Sequence, residues 1–315
     1  MPDVPPPRFV AHSRVMRALV EQVHRFARSD SNVLIAGETG SGKNAVAREL
    51  HARGPRARQP FVTIDCASLS PSLIDSELFG HERGAFTDAV VARAGRFELA
   101  SGGTVYLDAV AELSIEAQGK LLRIVEEKRV ERLGGHGSIA VAARIVASTG
   151  ADIEDAVRTG TFRHDLYHRL RVLPLLIPPL RARPEDVLPL ARYFLKQAAS
   201  AARGPIAALA RDAAAALRDY AWPGNVRELR HAVERGYQSA EAGAITLEHL
   251  PQEILEAPAV EPLTALAHRP TLDQVERRYI AATLRHARGN QTEAARILGI
   301  SRKALWEKRK RYGLD

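Results

Sequence analysis

At 315 residues the chain is about twice the usual length of one domain, and 45% hydrophobic with 26% charged residues is the balance of a folded globular protein, not of a disordered one. Its one cysteine, Cys66, excludes an internal disulfide framework, and with neither a signal peptide nor an apolar run of membrane-spanning length the chain is expected in the cytoplasm, without a membrane partner. A formal net charge of +8 and a pI near 9.9 point to an anionic partner.

Pro5, Pro6 and Pro7 keep the leader, residues 1–7, out of a helix; Val15, Leu19, Val23 and Phe26 then recur at helical spacing. Asn32-Val-Leu-Ile-Ala36 is short, apolar and followed by Gly37, the form of a buried strand feeding a glycine-rich turn. That turn, Gly37-Glu38-Thr39-Gly40-Ser41-Gly42-Lys43, followed by a helix from about Asn44, has the strand, loop and helix order of a phosphate-binding loop. Its glycines let backbone N–H groups turn inward on phosphates, the helix N-terminus adds positive potential, and Lys43 can reach the β- and γ-phosphates. Asn44 stands where the strict pattern has Ser or Thr, so a hydroxyl ligand for Mg²⁺ is missing. Further strands are expected at 61–64, 104–107 and 143–147, the one at 104–107 ending at Asp108, a carboxylate suited to hold Mg²⁺ through water. Helical stretches between them, notably 117–127, imply an α/β fold with a mostly parallel sheet covered on both faces.

After Pro184 strand signals stop, and the Ala- and Leu-rich stretch to about Leu250 reads as a small helical subdomain. Glu256-Ala-Pro-Ala-Val-Glu-Pro262 reads as linker. From Thr271 to the end, eleven basic residues face five acidic ones, so this stretch carries six of the eight net positive charges. Asn290 with Glu293 three residues on forms a capping box, and Ala294, Ala295, Ile297 and Leu298 give the helix its buried face. Gly299 turns the chain, Ser301 caps a second helix, and Arg302, Lys303, Lys308, Arg309 and Arg311 decorate it. The pattern reads as a helix-turn-helix expected to bind double-stranded DNA, with Arg302 and Lys303 placed for base edges and the later cations for phosphates. His51, His81 and His136 lack metal-ligand spacing and read as structural or surface residues, and Cys66 as a small buried side chain.

The loop, together with Ser76-Glu-Leu-Phe-Gly-His-Glu-Arg-Gly-Ala-Phe-Thr87, Gly102-Gly-Thr-Val-Tyr-Leu-Asp108, Phe162-Arg-His-Asp-Leu-Tyr-His-Arg-Leu170, Pro178-Pro-Leu-Arg181 and Trp222-Pro-Gly-Asn-Val-Arg-Glu-Leu229, closely resembles the central domain of the sigma-54-dependent activators, the bacterial enhancer-binding proteins, over about residues 8–253. The last 45 residues resemble the Fis-type helix-turn-helix that ends most of these proteins. The resemblance implies an AAA+ α/β subdomain at 8–180, a helical lid at 181–253, a linker at 254–270 and the DNA-binding domain at 271–315, assembling as a homo- or hetero-oligomer, ring or dimer. It implies ATP and Mg²⁺ as cofactors, Arg163 and Arg169 as the pair from which arginine fingers reach a neighbouring subunit's nucleotide, and Arg227 as the lid's sensor arginine. Gly84-Ala85-Phe86-Thr87-Asp88-Ala89 matches the loop that contacts sigma-54 RNA polymerase holoenzyme.

Four positions depart from the family pattern. Ala109 stands where a glutamate orients or activates the attacking water, Asp65 where an Asn holds that glutamate, Gly150 where a sensor Asn ends a strand, and Asp88 where the sigma-contact loop has a glycine. Losing a water-positioning or base residue costs roughly 100- to 10,000-fold in rate. The expectation is a regulator that binds ATP and hydrolyses it weakly or not at all, with the sigma-54 contact put in question by Asp88. The alternative is a fully active ATPase that remodels sigma-54 RNA polymerase, another acid such as Glu112 compensating. A metabolic P-loop enzyme is disfavoured by the DNA module. Because 36 residues precede the loop, no N-terminal receiver or sensory domain is expected, and control falls to a separate protein, to expression or to a ligand.

Overall fold

Ser13 sets the first helix: its hydroxyl accepts the Met16 amide at 3.3 Å and α1 (Arg14–Ala27) follows. The computed structural model describes residues 9–68, 71–86, 89–205, 207–240, 243–256, 271–287 and 290–313; the expected leader, and residues 257–270 of the expected linker, lie outside them. Met16, Leu19, Val23 and Ala27 form the buried stripe of α1, whereas Val15, expected to share it, is 48% exposed because it lies one residue off that face.

The apolar runs then become strands. β1 (Val33–Ala36) leads through the glycine-rich turn into α2 (Lys43–Ala52), and β2 (Phe61–Asp65) precedes α3 (Pro71–Phe79). A small hairpin, β3 (Gly80–His81) with β4 (Arg93–Ala94), opens onto the one-turn helix α4 (Arg96–Leu99) and β5 (Thr104–Asp108). α5 (Ile115–Glu127) is capped by Ser114 and runs into a second hairpin, β6 (Arg129–Glu131) with β7 (Ser138–Ala140). The fully buried β8 (Arg144–Thr149) is followed by α6 (Ile153–Arg158), α7 (His164–Leu170) and β9 (Leu173–Leu176).

Five of these strands make one parallel sheet in the order β2-β5-β8-β1-β9. Strand residues alternate between two cores: Leu34, Ile64, Val105, Leu107, Ile145 and Ala147 pack with α5 and α7, while Val33, Ile35, Tyr106, Val146 and Leu175 pack with α1 and α2. The expected sheet, covered on both faces, is therefore present. It has one strand more than the sequence suggested, because β9 carries Pro174, which argues against a strand until its edge position is known. The hairpins, with strands of two or three residues, are too short to show a period.

The described chain divides into two compact units. One runs to Pro189 and includes Gly224–Glu228; the other takes Leu190–Pro223 and the chain from Leu229. After α8 (Val187–Ala202) come α9 (Arg211–Asp219), α10 (Asn225–Ser239) and α11 (Gln252–Glu256). Among the described residues this stretch holds no strand beyond an isolated bridge between Leu209 and Ile245, as expected of a helical subdomain. Trp222 is fully buried and its indole N–H donates to the Leu217 carbonyl at 2.8 Å. The basic module comprises α12 (Leu272–His286), α13 (Gln291–Leu298) and α14 (Arg302–Tyr312) around Ile280, Ala294, Ala295 and Leu305.

Asp186 is wholly buried and ties the start of α1 to the end of the α/β unit. Its carboxylate accepts the His12 amide at 2.6 Å, the Ser13 amide at 2.7 Å and the Ser13 hydroxyl at 2.6 Å. Asp186→Ala leaves those donors without their acceptor, and a destabilisation of about 3 kcal/mol is expected in equilibrium denaturation; a midpoint equal to that of the native chain would contradict this role.

Candidate functional site

The glycine-rich turn is held from outside by its own carbonyls. Lys43 Nζ donates to the carbonyls of Gly37 at 2.7 Å and Glu38 at 3.1 Å, and Asn225 Nδ2 donates to that of Thr39 at 3.1 Å. The amides of Val226 and Arg227 take the Gly40 carbonyl at 3.0 and 3.3 Å, and buried Arg183 takes that of Ser41 at 2.8 Å. With five successive carbonyls turned to protein donors, the amides of Gly40, Gly42 and Lys43 at the head of α2 become the groups offered to an anion. Gly40 (φ +77°) and Gly42 (φ +111°) lie in the left-handed region, and a Cβ on Gly40 would meet the Gly224 carbonyl oxygen at 2.2 Å.

Asn225 is the hub of this arrangement. It is fully buried at φ +54°; its Oδ1 accepts the Leu180 amide at 2.8 Å, and its Nδ2 also reaches Glu38 Oε2 at 3.0 Å. Glu38 is gripped on both oxygens by Arg181, at 2.8 and 2.5 Å, and this pairing holds its carboxyl below the ordinary range. Burial lowers the pKa of Lys43, opposed by the nearby charge of Asp108. Sequence reasoning brought the loop and Arg227 together; it missed Asn225, Arg181 and Arg183, and only the Asn-Val-Arg of the quoted motif hinted at the first.

Opposite the loop, Asp108 is already engaged. Its Oδ1 accepts the Ser148 hydroxyl at 2.5 Å and lies 3.0 Å from the Tyr106 hydroxyl, which in turn sits 2.6 Å from Asn44 Oδ1. Burial holds the Tyr106 phenol far above its ordinary pKa, so one permanent proton lies between the two acceptors. Ser148 Oγ also takes the Ala109 amide at 3.1 Å, and Ala109 itself is left-handed at φ +57° and ψ +52°. Mg²⁺ beside a triphosphate needs hard oxygen ligands in a near-octahedral shell. Here the residue after the loop lysine is a carboxamide bonded to a phenol, so it offers Mg²⁺ no hydroxyl, and Asp108 keeps Oδ2 for an ion held through water.

The other divergent positions lie around the same strand ends. Asp65 is the register partner of Asp108 across β2 and β5, and its Oδ1 accepts the Ala67 amide at 3.0 Å. Between these strand ends Cys66 is buried as expected, and desolvation, aided by Asp108, Asp65 and Glu112, pushes its thiol up to about 12, where it stays protonated and unreactive. Gly150 follows the end of β8.

Arg163 precedes α7 as its N-cap and Arg169 lies in its last turn. Arg163 pairs with Asp165 at 3.1 and 2.8 Å, and Arg169 with Glu126 at 2.9 Å. The sigma-contact stretch stands on the β3–β4 hairpin. Gly84 has φ +83°, its amide donates to the Ala89 carbonyl at 2.8 Å, Ala85 donates to Glu82, and Phe86 is 40% exposed with its ring 5.0 Å from that of His81. Thr87 and Asp88 lie outside the described residues.

In the basic module, Asn290 accepts the amides of Thr292 and Glu293 at 3.1 and 3.2 Å, while the Glu293 carboxylate is taken by Arg296. Ile297 is 37% exposed instead of buried, since Ala294, Ala295 and Leu298 already fill the face toward the small core. Gly299 is left-handed and Ser301 accepts the Ala304 amide at 3.1 Å, the turn and cap expected. Arg302 and Lys303 are exposed on the first turn of α14. Lys308 and Arg311, expected to meet phosphates, pair with Glu276 at 2.5 Å and Asp273 at 3.1 Å on α12, and Arg309 is partly buried. Trp306, 57% exposed with Lys310 5.5 Å above its ring, was not anticipated.

Comparison with known proteins matches residues 9–176 to the sigma-54 interaction domain, 181–266 to the AAA+ ATPase lid domain and 271–312 to the bacterial regulatory proteins of the Fis family. The transcriptional regulatory protein ZraR of Klebsiella oxytoca is 45% identical over 299 residues, which are 95% of this chain and 68% of ZraR. The regulatory protein AtoC of Escherichia coli K12 is 42% identical over 312 residues, 97% of this chain and 68% of AtoC. The crystal structure of NtrX from Brucella abortus in complex with ATP superposes with a TM-score of 0.77 at 36% identity, covering 98% of this chain and 70% of NtrX.

Asn225→Ala removes one acceptor and two donor contacts from a wholly buried hub. A loss of about 3 kcal/mol is expected in equilibrium unfolding, with faster amide exchange at Thr39 and Gly40; unaltered exchange there would show that the loop does not depend on this side chain.

Proposed function

The chain belongs to the sigma-54-dependent transcriptional activator family, and from that membership we propose that it is a DNA-binding regulator that takes ATP as an assembly ligand and hydrolyses it slowly or not at all. The observation that carries this reading is the methyl group at Ala109, where the family resemblance places a glutamate, beside an Asp108 whose Oδ1 is taken by Ser148 and Tyr106.

Binding and turnover draw on different residues. The loop amides, Lys43 and the head of α2 supply positive potential for the phosphates, and the carbonyl contacts hold those donors in place before ligand arrives, which favours affinity. NtrX, with the same architecture, has been crystallised with ATP and with ADP, which supports the choice of ligand. Hydrolysis needs a group that orients water and stabilisation of charge on the transferring phosphoryl. Ala109 offers water no acceptor, Asp65 and Gly150 replace the asparagines that the family resemblance places beside it, and Asp108 is bonded to Ser148 and Tyr106. Arg163 and Arg169 act on a neighbour's nucleotide only by giving up Asp165 and Glu126, exposed pairs that solvent screening keeps weak. The fingers are therefore available to sense nucleotide in an assembly even where nothing is cleaved.

On the DNA side, Arg302 and Lys303 enter the major groove on the first turn of α14, with Trp306 on the same exposed helix, while Lys308 and Arg311 hold that helix in place. A second reading, an active ATPase working on sigma-54 RNA polymerase, is favoured by the exposed Phe86 on its hairpin.

The test uses sedimentation and DNA-binding assays. ATP and an analogue with a non-hydrolysable β–γ bridge are expected to give the same higher-order species and the same DNA affinity, in Mg²⁺ or in EDTA. Assembly that requires both ATP and Mg²⁺, and decays as phosphate is released, would rule the reading out.

A further inference from the structure

The short helix α7 carries two imidazoles one turn apart. His164 and His168 lie on its exposed face, their rings tilted at 63° with centroids 4.3 Å apart, and their Nε2 atoms converge to 3.0 Å. Two ring nitrogens approach so closely only around something shared, either one proton or one metal ion. A transition-metal ion bonds imidazole nitrogen at about 2.1 Å, which puts two such nitrogens about 3.0 Å apart at the right angle of square-planar Cu²⁺ or Ni²⁺ and about 3.4 Å apart in the tetrahedral shell of Zn²⁺. The observed separation is that of an N–H···N hydrogen bond, and it lies close to the bite of two imidazoles on one ion. Spacing of four residues on a helix is also what brings two histidines onto one ion.

From this we propose that His164 and His168 form a binding site for a borderline divalent cation of the Zn²⁺, Ni²⁺ or Cu²⁺ class. Imidazole selects these ions over Mg²⁺ and Ca²⁺, which take oxygen. The site is built with little rearrangement. Leu166, Tyr167 and Leu170 anchor the helix in the core, and the Tyr167 ring packs against His168 at 5.4 Å. Both imidazoles are exposed, so the remaining coordination positions are open to water or to a donor from another molecule. Among the described residues no cluster of three or more His, Cys, Asp or Glu converges on a metal position, so the site is a two-ligand surface chelate and not a closed structural one. Its place has a consequence that rests on the reading of Arg163 and Arg169 as trans-acting: those arginines bracket the pair, so an ion here clips together the turn from which both project.

The site is tested on the full chain without nucleotide, so that its failure and failure of the ATP reading are separable. Calorimetric titration with ZnCl₂ is expected to give one event per chain, weakened on the order of tenfold or more in H164Q and in H168Q and unaltered in H136Q, with MgCl₂ giving no heat in any of them. Since all three histidines are exposed, the variants should keep the native circular dichroism spectrum. Identical zinc isotherms for the native chain and the H164Q/H168Q double variant, or a loss in H136Q equal to that in H168Q, would overturn the assignment.

Discussion

The geometry of the site depends on where the carbonyls of residues 37–41 point. A glycine-rich turn is indifferent to sign: either its N–H groups or its C=O groups can face a ligand. In this chain every one of the five carbonyls is taken by a donor from the protein, namely Lys43, Asn225, the amides at 226 and 227, and Arg183. The amides are left facing the other way, above the head of α2 and the positive end of its dipole. Asn225 sets this choice because it also fixes Glu38 and the Leu180 amide from a wholly buried position, and because it tolerates the left-handed backbone that its place requires.

Across from that cradle, hydrogen bonds join Asn44, Tyr106, Asp108 and Ser148. In a working hydrolase the carboxylate at the end of β5 and the residue after the loop lysine are kept available for metal and water. Here Tyr106 places its hydroxyl between Asn44 and Asp108, and Ser148 bridges Asp108 to the Ala109 amide. The substitutions support one another: the carboxamide at 44 gives the phenol a neutral partner, and the methyl at 109 asks nothing of Ser148. Such mutual fit is the mark of a settled arrangement and not of one lost residue. The proposed binding without turnover rests on this arrangement.

Much of the fold was legible because its signals are local. β1, the turn and α2 follow from an apolar run, glycines and a lysine within a dozen residues, and the Ser301 cap and the Gly299 turn are equally short-range. What escaped the sequence is long-range or conflicted. Asn225 meets the turn across 187 residues and Tyr106 meets Asn44 across 62, separations that no spacing rule covers. Pro174 concealed the edge strand β9. The pairs that Lys308 and Arg311 make with Glu276 and Asp273 on α12 are likewise remote in sequence. The histidines of α7 carry a visible spacing of four, but only their convergence gives that spacing a meaning.

Phosphate release from ATP under saturating nucleotide and Mg²⁺, measured side by side for the native chain and for Ala109→Glu, bears most directly on the claim that this is a nucleotide clamp with a silent motor. The account predicts release from the native chain roughly 100-fold or more below that of a functioning hydrolase, with a measurable gain when the glutamate is supplied. Brisk release by the native chain, matched or exceeded by no variant at 109, would contradict it and return the protein to the working ATPases of its family.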